Sequence, residues 1–223
     1  MKDFSDKKVL IFSDTHLTCK FNKKWFEEIF PLIKKADVVI INGDFWENVT
    51  CDFEDFIKSK WKIHLFPLLK DKAILIHGNH DALKYVKNPD KLRLFSLENK
   101  QELEFIINRK VFHLEHGHIL AGKYGGWRGN IVKFFKKKFK RLYSSLKQSE
   151  YLGYFLDQIG NKVISIYRES VKDDKNKFFI FGHIHKVKHN FDDNFIVIGS
   201  FLRNKKRYIE INNGEFVFVD EIY

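Results

Sequence analysis

A chain of 223 residues has room for one domain with a sizeable core. Its 44% hydrophobic content and 24 Phe exclude a disordered chain, and no run approaches the ~20 apolar residues that span a bilayer. The formal net charge of +11 favours phosphate-rich or other anionic partners, with compositional bias as the bland alternative.

The N-terminus runs from Met1 to Lys8 straight into an apolar run. It lacks the longer apolar stretch and cleavage site of a secretory signal. Cys19 and Cys51 stand in unrelated contexts and suggest no disulfide framework, so the sequence predicts a cytoplasmic protein in a reducing compartment. Val9–Phe12 reads as a buried strand ending in Ser13-Asp14-Thr15-His16. Trp25, Ile29 and Ile33 recur at helical spacing, and a second β-branched run from Val38 to Ile41 ends at Asn42-Gly43-Asp44. An amphipathic stretch is expected over 53–69, with Pro67 marking its end. A third strand, Ala73–Ile76, leads to Gly78-Asn79-His80-Asp81. Short apolar strands separated by helix-length segments predict parallel neighbours in a buried sheet.

Beyond this the pattern changes. Residues 103–114 read as a hairpin broken at Asn108-Arg109 and ending in Glu115-His116-Gly117-His118. A strand at 178–181 ends in Gly182-His183-Ile184-His185, and the tail is β, with Asn212-Asn213-Gly214 as a hairpin turn. From Ile119 to Ser149 no residue is acidic, and Lys and Arg alternate with apolar residues at helical spacing. The expected architecture is α/β, two mixed sheets packed face to face with helices outside. One domain spans 1–223 and carries a basic helical insertion at about 123–172 as a lid over the site.

The strand ends carry the chemistry. Ligands in open α/β folds gather beyond the carboxyl ends of strands. Asp14-x-His16, Gly43-Asp44, Gly78-Asn79-His80-Asp81, His116-Gly117-His118 and Gly182-His183-x-His185 each follow an apolar run. A metal pair for phosphoryl chemistry needs carboxylate and imidazole ligands with one carboxylate shared, the ions ~3.5–4 Å apart. Residues i and i+2 at an extended strand end point the same way, so each spaced pair reaches one site. Singly each motif fits a surface turn or core punctuation; together they read as a metal centre.

This ordered set resembles the calcineurin-like metallophosphoesterase family, over residues 8 to 185 directly. The resemblance implies a four-layer α/β/β/α sandwich and a dinuclear-metal phosphoesterase in which a bridging hydroxide attacks phosphorus in line. It implies Asp14, His16 and His185 on one metal, Asn79, His116 and His183 on the other, and Asp44 between them. His80 would act on the substrate with Asp81 orienting it. The metals would be two divalent ions, Mn²⁺ first, with Fe, Zn, Co or Ni as alternatives. Glu47, His118, Trp127 and Arg128 are candidate substrate contacts.

The substrate class divides the readings. The Gly43-Asp44-Phe45-Trp46-Glu47 run and the insertion are similar to the UDP-2,3-diacylglucosamine pyrophosphatase branch, which implies a lipid-linked pyrophosphate and an anionic membrane surface as partner. That branch has Arg after the Gly-Asn, where this chain has His80, so phosphodiester hydrolysis is the main expectation. A small nuclease using the basic insertion on nucleic acid, and a protein-docking role for that insertion, stay open. The sequence does not indicate an oligomeric state.

Overall fold

After a two-residue strand β1 (Lys2–Asp3), the first apolar run forms β2 (Val9–Phe12), buried throughout. Helix α1 (Lys23–Lys35) then crosses to β3 (Val38–Asn42). Asn22 caps α1 by accepting the Trp25 N–H at 3.1 Å, and Lys34 and Lys35 lie at its carboxyl end, where the helix dipole favours cations. Trp25, Ile29 and Ile33 form its buried stripe.

The stretch expected to be one helix over 53–69 is instead three short ones: α2 (Phe53–Lys58), α3 (Trp61–His64) and α4 (Phe66–Leu69). Ser59 has extended backbone and its Oγ donates to the Phe56 carbonyl at 2.6 Å, which ends α2. Pro67 does not end this stretch. It sits in the first turn of α4, where no intrahelical donor is lost.

The chain continues through β4 (Ala73–Ile76), β5 (Glu98–Lys100), β6 (Glu102–Ile107) and β7 (Lys110–Glu115). Helix α5 (Glu150–Val171) precedes β8 (Lys177–Phe181), β9 (Lys188–Asn190), β10 (Phe195–Val197), β11 (Lys205–Asn212) and β12 (Glu215–Ile222). The strands form two six-stranded mixed sheets, in the orders β12-β11-β2-β3-β4-β5 and β1-β6-β7-β8-β10-β9. The two-residue turns of the β6–β7 and β11–β12 hairpins use left-handed backbone, at Asn108 and Arg109 and at Asn213 and Gly214. Two-residue turns of this hand match the twist of the paired strands.

Alternation along the strands separates two cores. Val9, Ile11, Ile40, Ile74 and Ile76 meet Phe105, Phe112, Ile180 and Ile196 of the other sheet. Leu10, Phe12, Val39, Ile41 and Leu75 face Ile29, Ile33, Phe56, Trp61 and Phe66 of the helices. Each large side chain buried this way contributes roughly 1.5–3 kcal/mol.

The computed structural model describes residues 1–122, 150–190, 192, 194–202 and 204–222. By contacts they divide into one unit of Met1–His116 with Asp174–Tyr223, which holds both sheets, and a second of Gly117–Asp173, which holds α5. The basic run at 123–149, with Trp127 and Arg128, lies outside the described residues. No helix among the described residues is long and apolar enough to cross a membrane.

The two cysteines correct an expectation. Cys19 and Cys51 form a disulfide across a sequence separation of 32. They follow β2 and β3, which are parallel neighbours whose pairing extends into the loops through a bridge between Leu17 and Trp46. The pairing is a product of the parallel register, which local context around either cysteine does not display. It also removes the ground for assigning a reducing compartment.

Candidate metal centre

The loops after β2, β3 and β4 lie side by side, and those after β7 and β8 do likewise in the facing sheet. Backbone hydrogen bonds continue past the strand ends. The Asp14 N–H donates to the Gly43 carbonyl and the His16 N–H to the Asp44 carbonyl, both at 3.0 Å. The Asn42 side chain crosses between the sheets and donates to the Glu115 carbonyl at 3.1 Å. The His183 N–H crosses the other way to Asp14 Oδ2 at 3.0 Å.

Several of the expected ligands sit in left-handed backbone, with φ of 55° at Asp14, 46° at His16, 53° at Asp44 and 67° at His183. Such conformations cost about 1–3 kcal/mol each for residues with a Cβ and concentrate at functional sites. The glycines of the motifs have a matching role. A Cβ at Gly43 would overlap the His116 ring, and one at Gly182 would overlap Ser13 Oγ.

The side chains fall into sets of possible ligands whose atoms lie within 4.8 Å of one another: Asp14 with His16 and His185, and Asp44 with His116 and His183. Asp44 also groups with His16 and His80. Asp44 Oδ2 is 3.3 Å from His116 Nε2 and 3.8 Å from His16 Nε2, so one carboxylate oxygen serves both sets. Its other oxygen accepts the His80 N–H at 2.8 Å. Asp14 divides the same way. Its Oδ2 accepts from Ser13 Oγ and His183 N, while Oδ1 faces His185 Nε2 at 3.4 Å.

Hydrogen bonds also orient the imidazoles. His116 Nδ1 donates to the Asn42 carbonyl at 2.8 Å, which turns Nε2 toward Asp44. His16 Nδ1 donates to Glu47 Oε2 at 3.1 Å, and its Nε2 meets His185 Nε2 at 3.0 Å. Two ring nitrogens face to face suit a cation between them. The buried Oδ1 of Asn79 accepts no hydrogen bond among the described residues, which suits a metal-ligating oxygen. The groups Asp14, His16 and His185 and Asp44, His116 and His183, with Asp44 also near His16, therefore have a chemistry that fits divalent ions.

The electrostatics agree. Burial works against the charged forms, but the histidines around Asp44 outweigh it and hold its carboxyl far below the usual range. Asp14 is lowered against its own burial by His116 and His185. Burial likewise opposes charge on His116, yet Asp44, Asp14 and the Asn42 carbonyl push it up to about 10. His16 is raised, against burial, chiefly by Glu47.

The carboxylate behind His80 is a second correction. Asp81 was expected there, but its Oδ2 accepts the Phe45 N–H at 2.7 Å and its Oδ1 the Gly78 N–H. It is fully buried, and that burial raises its pKa. Glu47 does the orienting: its Oε1 takes His80 Nδ1 at 2.6 Å while Oε2 holds His16. Burial raises the Glu47 carboxyl, and the two histidines overcome it and lower it to about 2. Trp46 is core, packed on Phe53 and Phe56. His118 belongs to the Gly117–Asp173 unit. Sequence reasoning missed Ser13 and Asn42, whose parts depend on backbone carbonyls and loop contacts distant in the chain.

Two sets of possible metal ligands share one buried carboxylate at the strand ends of the two sheets, the arrangement a metal-dependent hydrolase of phosphate esters needs. Residues 7–187 match the model of the calcineurin-like phosphoesterase family, and the chain belongs to that family, which uses a dinuclear metal centre. Among solved structures, an archaeal phosphodiesterase is 16% identical, with 96% of this chain and 99% of that one covered and a TM-score of 0.48. Yfce, a phosphoesterase from E. coli, is 14% identical, with 97% and 100% covered and a TM-score of 0.47. Vacuolar protein sorting 29 from Cryptosporidium parvum is 13% identical, with 97% of each chain covered and a TM-score of 0.44. No curated protein matches the chain.

Proposed function

We propose that the protein is a phosphodiesterase whose two ions are held by Asp14, His16 and His185 and by Asn79, His116 and His183, with Asp44 shared. The observation that carries this is the placement of Asp44 Oδ2 between His116 Nε2 and His16 Nε2, at 3.3 and 3.8 Å. When bound, divalent ions supply Lewis acidity that neutralises phosphate oxygens and makes water acidic enough to serve as nucleophile. Mn²⁺ is the first choice, with Fe, Zn, Co and Ni suited to the same mixed ligands.

The protein's own groups then divide the work. His80 Nδ1 is committed to Glu47, so Nε2 is the nitrogen left for substrate. Protonated there, it stabilises charge on the phosphoryl group and gives its proton to the departing alkoxide. An imidazole at this position, in place of the Arg of the lipid pyrophosphatase branch, supports a diester over a lipid-linked pyrophosphate.

Chelation should abolish hydrolysis of a chromogenic diester and added Mn²⁺ should restore it. Asp44→Asn should lose metal, while His80→Ala should keep both ions and lose roughly 10²–10⁴ in turnover. A panel of monoester, diester, cyclic nucleotide, UDP-lipid and single-stranded DNA separates the substrate classes. Hydrolysis that survives exhaustive chelation, or a preference for the UDP-lipid over every diester, would overturn the reading.

A further inference from the structure

The C-terminal hairpin reaches the ligand loop after β8 through one arginine. Arg207, on β11, is buried at 6% exposure. Its Nε donates to Asp220 Oδ1 at 2.6 Å, across the strand pair in which the two residues are register partners. Its Nη1 donates to the carbonyl oxygen of His185 at 2.9 Å. Gly199, at φ +77°, makes room for it: a Cβ there would stand 2.9 Å from Arg207 Cδ.

That loop is held at its start, where the Gly182 N–H donates to the His116 carbonyl at 3.2 Å and the His183 N–H to Asp14 Oδ2 at 3.0 Å, and Arg207 meets it further on, at His185. It has a left-handed residue at His183 and a tight Ile184 N–H to Gly182 carbonyl contact of 2.8 Å. The histidines differ in how their rings are held. Glu47 buttresses His16 and the Asn42 carbonyl buttresses His116. The side chain of His185 is 47% exposed, so packing holds it weakly, and its Nε2 is the atom facing Asp14 and His16. Its placement therefore falls on its own backbone.

We propose that Arg207 is a positioning residue for the metal centre, fixing the His185 carbonyl so that the ring reaches the set formed with Asp14 and His16. The proposal rests on reading those three residues as metal ligands. Asp220 has the supporting role of holding the guanidinium so that Nη1 points at the loop. A lysine would keep the charge opposite Asp220 but lacks the planar fork that serves both acceptors at once.

The test is Mn²⁺ titration of purified full-length protein, followed by electron paramagnetic resonance, with Arg207→Lys, Arg207→Met and the pair Arg207→Met/Asp220→Met. The pair leaves no orphaned carboxylate and keeps the question open should a single variant fail to fold. Affinity for one ion should fall roughly 10–100-fold and the other change little, because removal of a group that orients a ligand typically costs that much. Excess Mn²⁺ should recover turnover to within a few-fold of wild type. A folded Arg207→Lys or paired variant with both affinities within about threefold of wild type overturns the proposal. If the wild-type protein binds no Mn²⁺, the metal reading fails separately. Amide exchange at residues 184–187 in metal-free protein then decides: faster exchange in the variants upholds the anchoring of the loop, and unchanged exchange refutes it.

Discussion

Glu47 holds two imidazoles with one carboxylate, and its ionisation dictates their tautomers. Lowered to about 2, it stays an acceptor at neutral pH and so requires an N–H from Nδ1 of both His16 and His80. Nε2 of each ring is then available, one for a cation and one for substrate. Glu47→Gln puts an amide in this place, and its NH₂ end repels the Nδ1–H of whichever ring it faces. At saturating Mn²⁺ the variant should lose about 10²-fold in kcat, a general acid–base effect. A wild-type kcat in Glu47→Gln, measured on the same diester, would sink this assignment. The family resemblance pointed instead to Asp81, the carboxylate of the same motif as His80. Glu47 is 33 positions away, and the contact exists only because the β3 and β4 loops are adjacent. The side chains that cluster were thus legible from local motifs, whereas the groups that aim them were not.

At the scale of elements, the loops after β2 and β3 behave as one ligand-bearing platform. The Leu17–Trp46 bridge continues their pairing, Trp61 Nε1 donates to the Thr18 carbonyl at 2.8 Å, and the Cys19–Cys51 disulfide closes the far end. With 32 positions between the cysteines, loss of the cross-link restores chain entropy worth about 3–4 kcal/mol to the unfolded state. For a domain of this size that corresponds to a fall in Tm of roughly 6–16 °C. Thermal melts of metal-free protein with and without reductant, and of Cys19→Ser/Cys51→Ser, should show it. Equal melting of all three would mean that the bond contributes nothing to the platform. The apolar runs of β2, β3, β4 and β8 were readable because both faces are buried, and Asn213-Gly214 was readable because its turn demands left-handed backbone. The three-way break of 53–69 was not, since Phe, Trp and Leu satisfy one long amphipathic helix as well as three short ones wrapped on the sheet.

Over the whole molecule, a chain of net charge +11 concentrates buried carboxylates at one place. Without metal, that place is neutralised by protons, above all on His116. Its pKa in the fold is about 10 against about 6.5 unfolded. Its contribution to stability is therefore complete below pH 6.5 and is lost as pH rises toward 10. Three of the carboxylates run the other way, and Asp81, raised by its burial, does not. Asp14, Asp44 and Glu47 are lowered, so what they contribute is present above about pH 4 and fades in acid, for Glu47 through about 2. Metal-free protein should thus be most stable near pH 5–6.5 and weaken steadily above it. Metal binding must expel the same proton, so affinity for Mn²⁺ should climb with pH over that window, up to about tenfold per unit for each proton released. Melting of chelated protein and Mn²⁺ titration between pH 6 and 9 should give opposite slopes. His116→Gln should flatten the first of them. Stability of the chelated wild type that rises with pH across this range, or matches His116→Gln at every point, would show that no proton on His116 balances the cage.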